Sequence, residues 1–185
     1  MNYYNKYLKY KKKYLNLKKN QKGGFLFHHK FIFDENVSNK NKDLTRKYLF
    51  DSKGWLSKGY TFEEVNDEKI ADSKVYFKST DFINKKYHFA NYLQNLSITD
   101  SSEDLIKIYF NLNNWDGPPS TFVSEKDRLS NYRAYLIQHE FGHAIGYDHP
   151  KVPKDKNMKN CDPMLQQTKY TEPYCKANPW ISKYD

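Results

Sequence analysis

The stretch His139-Glu140-Phe141-Gly142-His143-Ala144-Ile145-Gly146-Tyr147-Asp148-His149 closes the clearest helical pattern in the chain, and the rest is read outward from it. From Ser124 or Asp127 to Ile145 the periodicity is helical, with Ser124 and Asp127 in capping-box spacing as one start. Leu129, Tyr132, Leu136, His139 and His143 fall on one stripe, and Ala134, Ile137, Phe141 and Ala144 on another. A helix with two apolar stripes is expected to be buried on both sides.

Residues four apart on a helix share a face, so His139 and His143 can turn their imidazoles toward one ion. Glu140 comes one residue after the first histidine and projects to the side, within reach of a water on that ion without being a ligand. Gly146 can take a positive φ at the helix end and turn the chain so that His149 supplies a third nitrogen. Three protein ligands leave one position open, which is the arrangement of catalytic rather than structural zinc. A lone helical histidine is usually a core or surface residue, and the first five residues alone arise by chance often enough to mislead. Three His, one Glu and one Gly at these fixed positions are expected by chance on the order of once per hundred thousand such chains.

Upstream of this helix the chain reads as α+β. Phe25-Leu26-Phe27 and Phe31-Ile32-Phe33 flank two histidines and suggest a strand or a short pair. Residues 36–47 are polar, fitting a loop or short helix. Val75 to Lys78 and Ile106 to Leu112 show strand composition, the second most clearly, and residues 113–119, with Asn113-Asn114 and Gly117-Pro118-Pro119, mark a turn after it. At 185 residues one domain with a tail is expected, and 12 Phe, 17 Tyr and 3 Trp supply enough apolar surface to fold it despite a mean hydropathy of −1.00. No apolar run exceeds four residues, which excludes a membrane-spanning helix and an ordinary signal-peptide core.

The net charge of +9 is concentrated at one end. Residues 1–22 hold eight lysines and no acid, so the remainder is nearly neutral and the basic pI says little about its substrate. Tyr3, Tyr7, Tyr10, Tyr14 and Leu17 recur at helical spacing among those lysines, until Gly23-Gly24 ends the pattern. The division expected is a basic amphipathic leader over 1–24 and a folded domain over 25–185. A solvated tail is one reading of the leader. Weak, non-specific contact with nucleic acid or a membrane surface is another, because lysine without arginine neutralises charge and reads few bases. The run from Lys6 to Lys19, closed by Gly23-Gly24, also resembles the leader at the start of many giant DNA virus proteins. That resemblance implies an address or processing tag cleaved after Gly24, and a location in the virion or infected host cell.

The eleven residues quoted first form the motif H-E-x-x-H-x-x-G-x-x-H and resemble the metzincin zinc peptidases. The resemblance implies a small mixed, twisted sheet packed on a central active-site helix, with a mostly irregular C-terminal part. It implies Zn2+ held by His139, His143 and His149, with Glu140 as general base. It also implies a methionine in a tight turn beneath the metal; Met164, in Cys161-Asp162-Pro163-Met164-Leu165, is favoured over Met158 because the proline before it suits a turn.

A closer resemblance, to an uncharacterised bacterial family of predicted secreted metzincins, rests on Tyr132 to Ile137, on Pro163 to Thr168, on Cys175 and on Asn178-Pro179-Trp180. Similarity extends over residues 43–182 and is strong from Tyr132 onward. Metzincins that carry a tyrosine two residues after the turn methionine can use it at the metal. Gln166 stands there in this chain, which leaves Tyr147, Tyr170 and Tyr174 as candidates for such help. Cys161 and Cys175 can be a disulfide, two thiols or metal ligands; the secreted context of the bacterial family favours the disulfide, which would contribute roughly 3 kcal/mol. A secreted location is the alternative to a viral one.

His28, His29 and His88 read as packing or surface residues, and Asp34, Asp116 and Asp162 lack calcium-ligand spacing. Asp148 is either a partner orienting His149 or a solvated carboxylate. The function expected is a zinc-dependent endopeptidase acting on a protein or peptide substrate, with an extended substrate pairing along a sheet edge near Ile106 to Leu112. The alternative is a non-catalytic zinc-stabilised virion protein, or one that binds anionic surfaces through its leader.

Overall fold

The computed structural model describes residues 27–87, 96–123, 127–151, 160–168 and 175–183. The leader, Met158, His88, Tyr170 and Tyr174 lie outside the described residues, as does any helix start at Ser124.

The architecture is α+β. Five strands, β1 (Phe27–Phe33), β2 (Tyr60–Glu64), β3 (Ser73–Lys78), β4 (Ile98–Asp100) and β5 (Ile106–Asn111), form one sheet in the order β2-β1-β3-β5-β4. β2, β1, β3 and β5 run parallel, and β4 is antiparallel to β5, with Ile98 opposite Tyr109 and Asp100 opposite Lys107. Parallel neighbours need a crossover between them. The first is α1 (Asn39–Leu49), opened by the Ser38 hydroxyl, which accepts from the Asn41 amide, and facing the core with Thr45, Tyr48 and Leu49. Arg46 then pins α1 to β2 by donating Nε and Nη2 to the two carboxylate oxygens of Glu64.

The aromatic run expected as a strand or a pair is one strand: in β1 the alternation sends His29, Phe31 and Phe33 inward. Residues 36–47 belong mostly to α1. α2 (Thr80–Tyr87) follows β3. Where Asn113 and Asn114 suggested only a turn, Asn111 caps a short helix, α3 (Leu112–Asp116), by accepting from the Asn113 amide; a residue that favours turns also starts helices when its side chain meets the first free N–H groups. Trp115 on α3 is buried against Phe77 and Phe110.

α4 (Arg128–Ala144) is the central helix. Its Phe141 meets Phe31 and Phe62 of the sheet edge-on at 5.4 and 5.6 Å between ring centres. Its opposite side is covered by the segment around Met164 and by a 3₁₀ turn at Trp55–Lys58. Eleven of its residues are buried, so the two-stripe pattern reflects burial on two sides. Asp127 precedes it with φ 45° and without a side-chain capping bond, so the capping box expected there is not made by this residue.

Candidate metal centre

The last two turns of α4 bring His139, Glu140 and His143 to one end of the sheet. The register is fixed by Gln138, whose Nε2 donates to the Tyr48 carbonyl at 2.7 Å and whose Oε1 accepts from the Trp55 amide. The Trp55 indole N–H donates to the Gln138 carbonyl at 2.7 Å, so neither polar end of this buried glutamine is wasted.

Gly146 takes φ 97° and ends the helix. The Gly146 amide donates to the His143 carbonyl and the Tyr147 amide to the Gly142 carbonyl, the paired bonds of a Schellman cap. The turn sends the chain back over the helix end and places His149 beside the other two histidines, as the sequence leads one to expect.

The three Nε2 atoms lie 3.0, 3.1 and 3.2 Å from one another. His139 Nδ1–H donates to the Pro163 carbonyl at 2.8 Å and His143 Nδ1–H to the Tyr147 carbonyl at 2.7 Å. A carbonyl only accepts, so both Nδ1 atoms carry the proton, and in the neutral rings the Nε2 atoms present lone pairs. Burial pushes His139 well below the usual histidine range, with His143 adding to the shift, and burial lowers His143 as well, so both rings favour that neutral form. Lone pairs facing each other at this distance repel unless a cation sits among them. Tetrahedral coordination at 2.0–2.1 Å would set the nitrogens about 3.3–3.4 Å apart, so the donor set fits zinc after a shift of a few tenths of an ångström. Exposure rises from buried His139 through His143 to exposed His149, so the group opens to solvent on the His149 side.

Glu140 is 3% exposed. Burial pushes its carboxyl up to about 8, against the opposing pull of a hydrogen bond from Thr99. Thr99 Oγ1 lies 2.7 Å from Glu140 Oε2. Thr99 was not singled out by the sequence, since one hydroxyl in a three-residue strand leaves no periodic trace.

Met164 is buried against Gly142, in a turn that Asp162 caps by accepting from the Met164 amide at 2.7 Å. Tyr135 fastens the turn from the helix side, donating to the Leu165 carbonyl and accepting from the Gln167 amide. Behind it Gln167 and Asn178 are both buried and exchange side-chain to backbone bonds, while Asn178 Nδ2 also donates to the Cys161 carbonyl. Cys161 and Cys175 are joined in a disulfide with their Cα atoms 5.0 Å apart.

The other candidates disperse. His28 is exposed and bonds Glu63 and Thr61, while His29 is buried and bonds the Ser73 hydroxyl. Asp34 faces Lys74 and Lys78 and Asp116 pairs with Arg133, whereas Asp148 stays near the group, exposed but close enough for its charge to act on His143. Tyr147 is 38% exposed and its hydroxyl bonds that of Tyr60. The substrate edge expected at Ile106 to Leu112 is corrected: β5 lies between β3 and β4, and β4 is the outer strand on that side among the described residues.

A family profile described as "Protein of unknown function (DUF3152)" matches residues 35–176, which include all three histidines and the turn methionine. No curated protein matches the chain. A solved structure described as the "GM1 bound form of the ECX AB5 holotoxin" is similar with a TM-score of 0.39 and 16% identity, over 68% of this chain and 54% of that one. The chain thus spans about half the length of that neighbour.

Proposed function

The chain belongs to the DUF3152 family of proteins of unknown function, and from that premise we propose that it is a zinc-dependent endopeptidase. The observation that supports this reading best is the convergence of three Nε2 atoms, two of them on rings whose Nδ1 protons are already given to carbonyls. His139, His143 and His149 would hold the ion. A zinc ion bound by three histidines keeps a position open, where it makes a water more acidic and polarises a carbonyl.

Everything else falls to the chain. With the ion's charge nearby, which would favour its ionised form, Glu140 accepts a proton at its carboxylate from the attacking water and returns it to the nitrogen of the leaving amine. Met164, packed against Gly142 of α4, would form the apolar floor of the site and would not coordinate. Among the described residues β4 is the outer strand on its side, and its backbone offers an extended peptide a strand to pair with. A purely structural site has no use for a buried carboxylate at this position.

The test is zinc quantification together with cleavage of a denatured protein mixture, with and without chelator, for wild type and Glu140→Gln. Cleavage that is lost with chelator and lost in Glu140→Gln, with zinc content retained in the variant, supports the reading. Zinc bound without any cleavage by wild type favours the alternative, a zinc-stabilised binding protein. Absence of zinc sinks both.

A further inference from the structure

Glu140 is held by a group from outside its own helix. Thr99, the middle residue of β4, places Oγ1 2.7 Å from Glu140 Oε2 and 2.9 Å from the Glu140 main-chain oxygen. We propose that Thr99 is the positioning residue of this site: its hydroxyl fixes the Glu140 side chain and ties the outer strand to α4, so the base keeps its place when a peptide pairs along β4. The inference rests on the reading of Glu140 as the base.

Thr99 is itself well fixed. It pairs with Ile108 of β5, and the next residue, Asp100, accepts from the Tyr87 hydroxyl at 2.8 Å and from the Ser102 amide at 2.9 Å. A β-branched side chain has few χ1 choices, so a strand anchored on both sides delivers the hydroxyl to one point. Glutamate has three side-chain torsions, and a short bond to one carboxyl oxygen restricts them.

The two acceptors matter as much as the distance. A hydroxyl has one proton to donate and lone pairs that accept. While Glu140 is a carboxylate, Thr99 donates to Oε2. The proton taken from the attacking water then sits on Oε1, the oxygen that Thr99 does not hold, while Oε2 goes on accepting from Thr99. The proton then leaves for the amine nitrogen, and Thr99 has neither gained nor lost one. The carboxyl is thus satisfied in both states without swinging away. Valine would fill the same volume and do none of this, which separates the hydroxyl from simple packing.

The experiment compares full-length, zinc-loaded wild type with Thr99→Val and Thr99→Ser. Thr99→Val is expected to keep its zinc content and to lose a few degrees of thermal midpoint, because a buried carboxyl loses its partner. Its kcat on a cleaved peptide should fall about 10- to 100-fold with KM within about twofold, the loss fitting a hydrogen bond to a charged group, and Thr99→Ser should restore most of it. Crystal structures of the same proteins give a readout that needs no turnover: Glu140 in one rotamer in wild type and Thr99→Ser, displaced or multiple in Thr99→Val. Unchanged kcat in Thr99→Val, a change confined to KM, or an unmoved Glu140 overturns the proposal. Should Thr99→Val fail to fold, Thr99→Ala takes its place in both measurements. If wild type cleaves nothing, the peptidase reading fails, and the Glu140 rotamers decide this proposal alone.

Discussion

Met164 occupies the space that a side chain on Gly142 would need: a Cβ built on Gly142 would overlap Met164 Sδ and lie 2.7 Å from a ring carbon of Trp55. The glycine between the two helical histidines is what lets the turn beneath them approach the helix backbone. Gly142→Ala is therefore expected to destabilise the protein by about 1–3 kcal/mol through overpacking, although alanine is the better helix former. Denaturant titration checks this, and a variant as stable as wild type would show that the turn does not press on the helix.

Zinc should raise the thermal midpoint of wild type, because it binds the folded protein and the unfolded chain lacks the site. At 100 times Kd the gain is about 2.7 kcal/mol. His149→Ala should abolish the shift while leaving the metal-free midpoint close to wild type, since His149 is exposed. Calorimetry with and without zinc reads both; a zinc shift that survives in His149→Ala would remove the third ligand from the site.

Without metal, stability should peak near neutrality. His139 and His143 have folded-state pKa values below 6.5, so the unfolded chain binds more protons and stability falls as pH drops below about 6.5. Glu140 is raised from 4.5 to about 8, so the folded state binds its proton more tightly and stability falls as pH rises through the range between those two values. Below about 6.5 two histidines outweigh one glutamate; above it only the glutamate acts. Urea midpoints of the chelated protein from pH 5 to 9 should trace that maximum, and Glu140→Gln should flatten its alkaline side. A monotonic rise across the range would contradict the assignment.

Reducing the Cys161–Cys175 disulfide should cost roughly 3 kcal/mol of stability, from the 14-residue separation it closes. It should also weaken zinc binding, because the carbonyl that orients His139 belongs to Pro163, two residues from Cys161. Competition with a zinc chelator before and after reduction measures the second effect. Equal affinities would mean that the Asn178 and Gln167 bonds hold the turn unaided.

The legible part of this protein was local. Helix periodicity brought His139 and His143 to one face, and Gly146 supplied the bend for His149, because i and i+4 geometry and a positive-φ glycine depend on neighbours in sequence. The strand at Ile106–Asn111 was legible from its β-branched and aromatic residues, but not its place in the sheet. β4 spans only Ile98–Asp100, exists through pairing with β5 and contact with α4, and carries no pattern of its own. Without such a pattern the sequence puts the sheet edge one strand too far in, and Thr99 carries no signal. The two asparagines at 113–114 misled for another reason: their turn preference yielded to the cap at Asn111 and the burial of Trp115.

α4 serves at once as the wall of the apolar interior and as the carrier of His139, Glu140 and His143. The amides around these three side chains are therefore expected to be among the slowest in the molecule to exchange with deuterium, opening only when the whole domain opens. Chemistry in many proteins is hung on movable loops; the site proposed here would instead be written into the last part to melt.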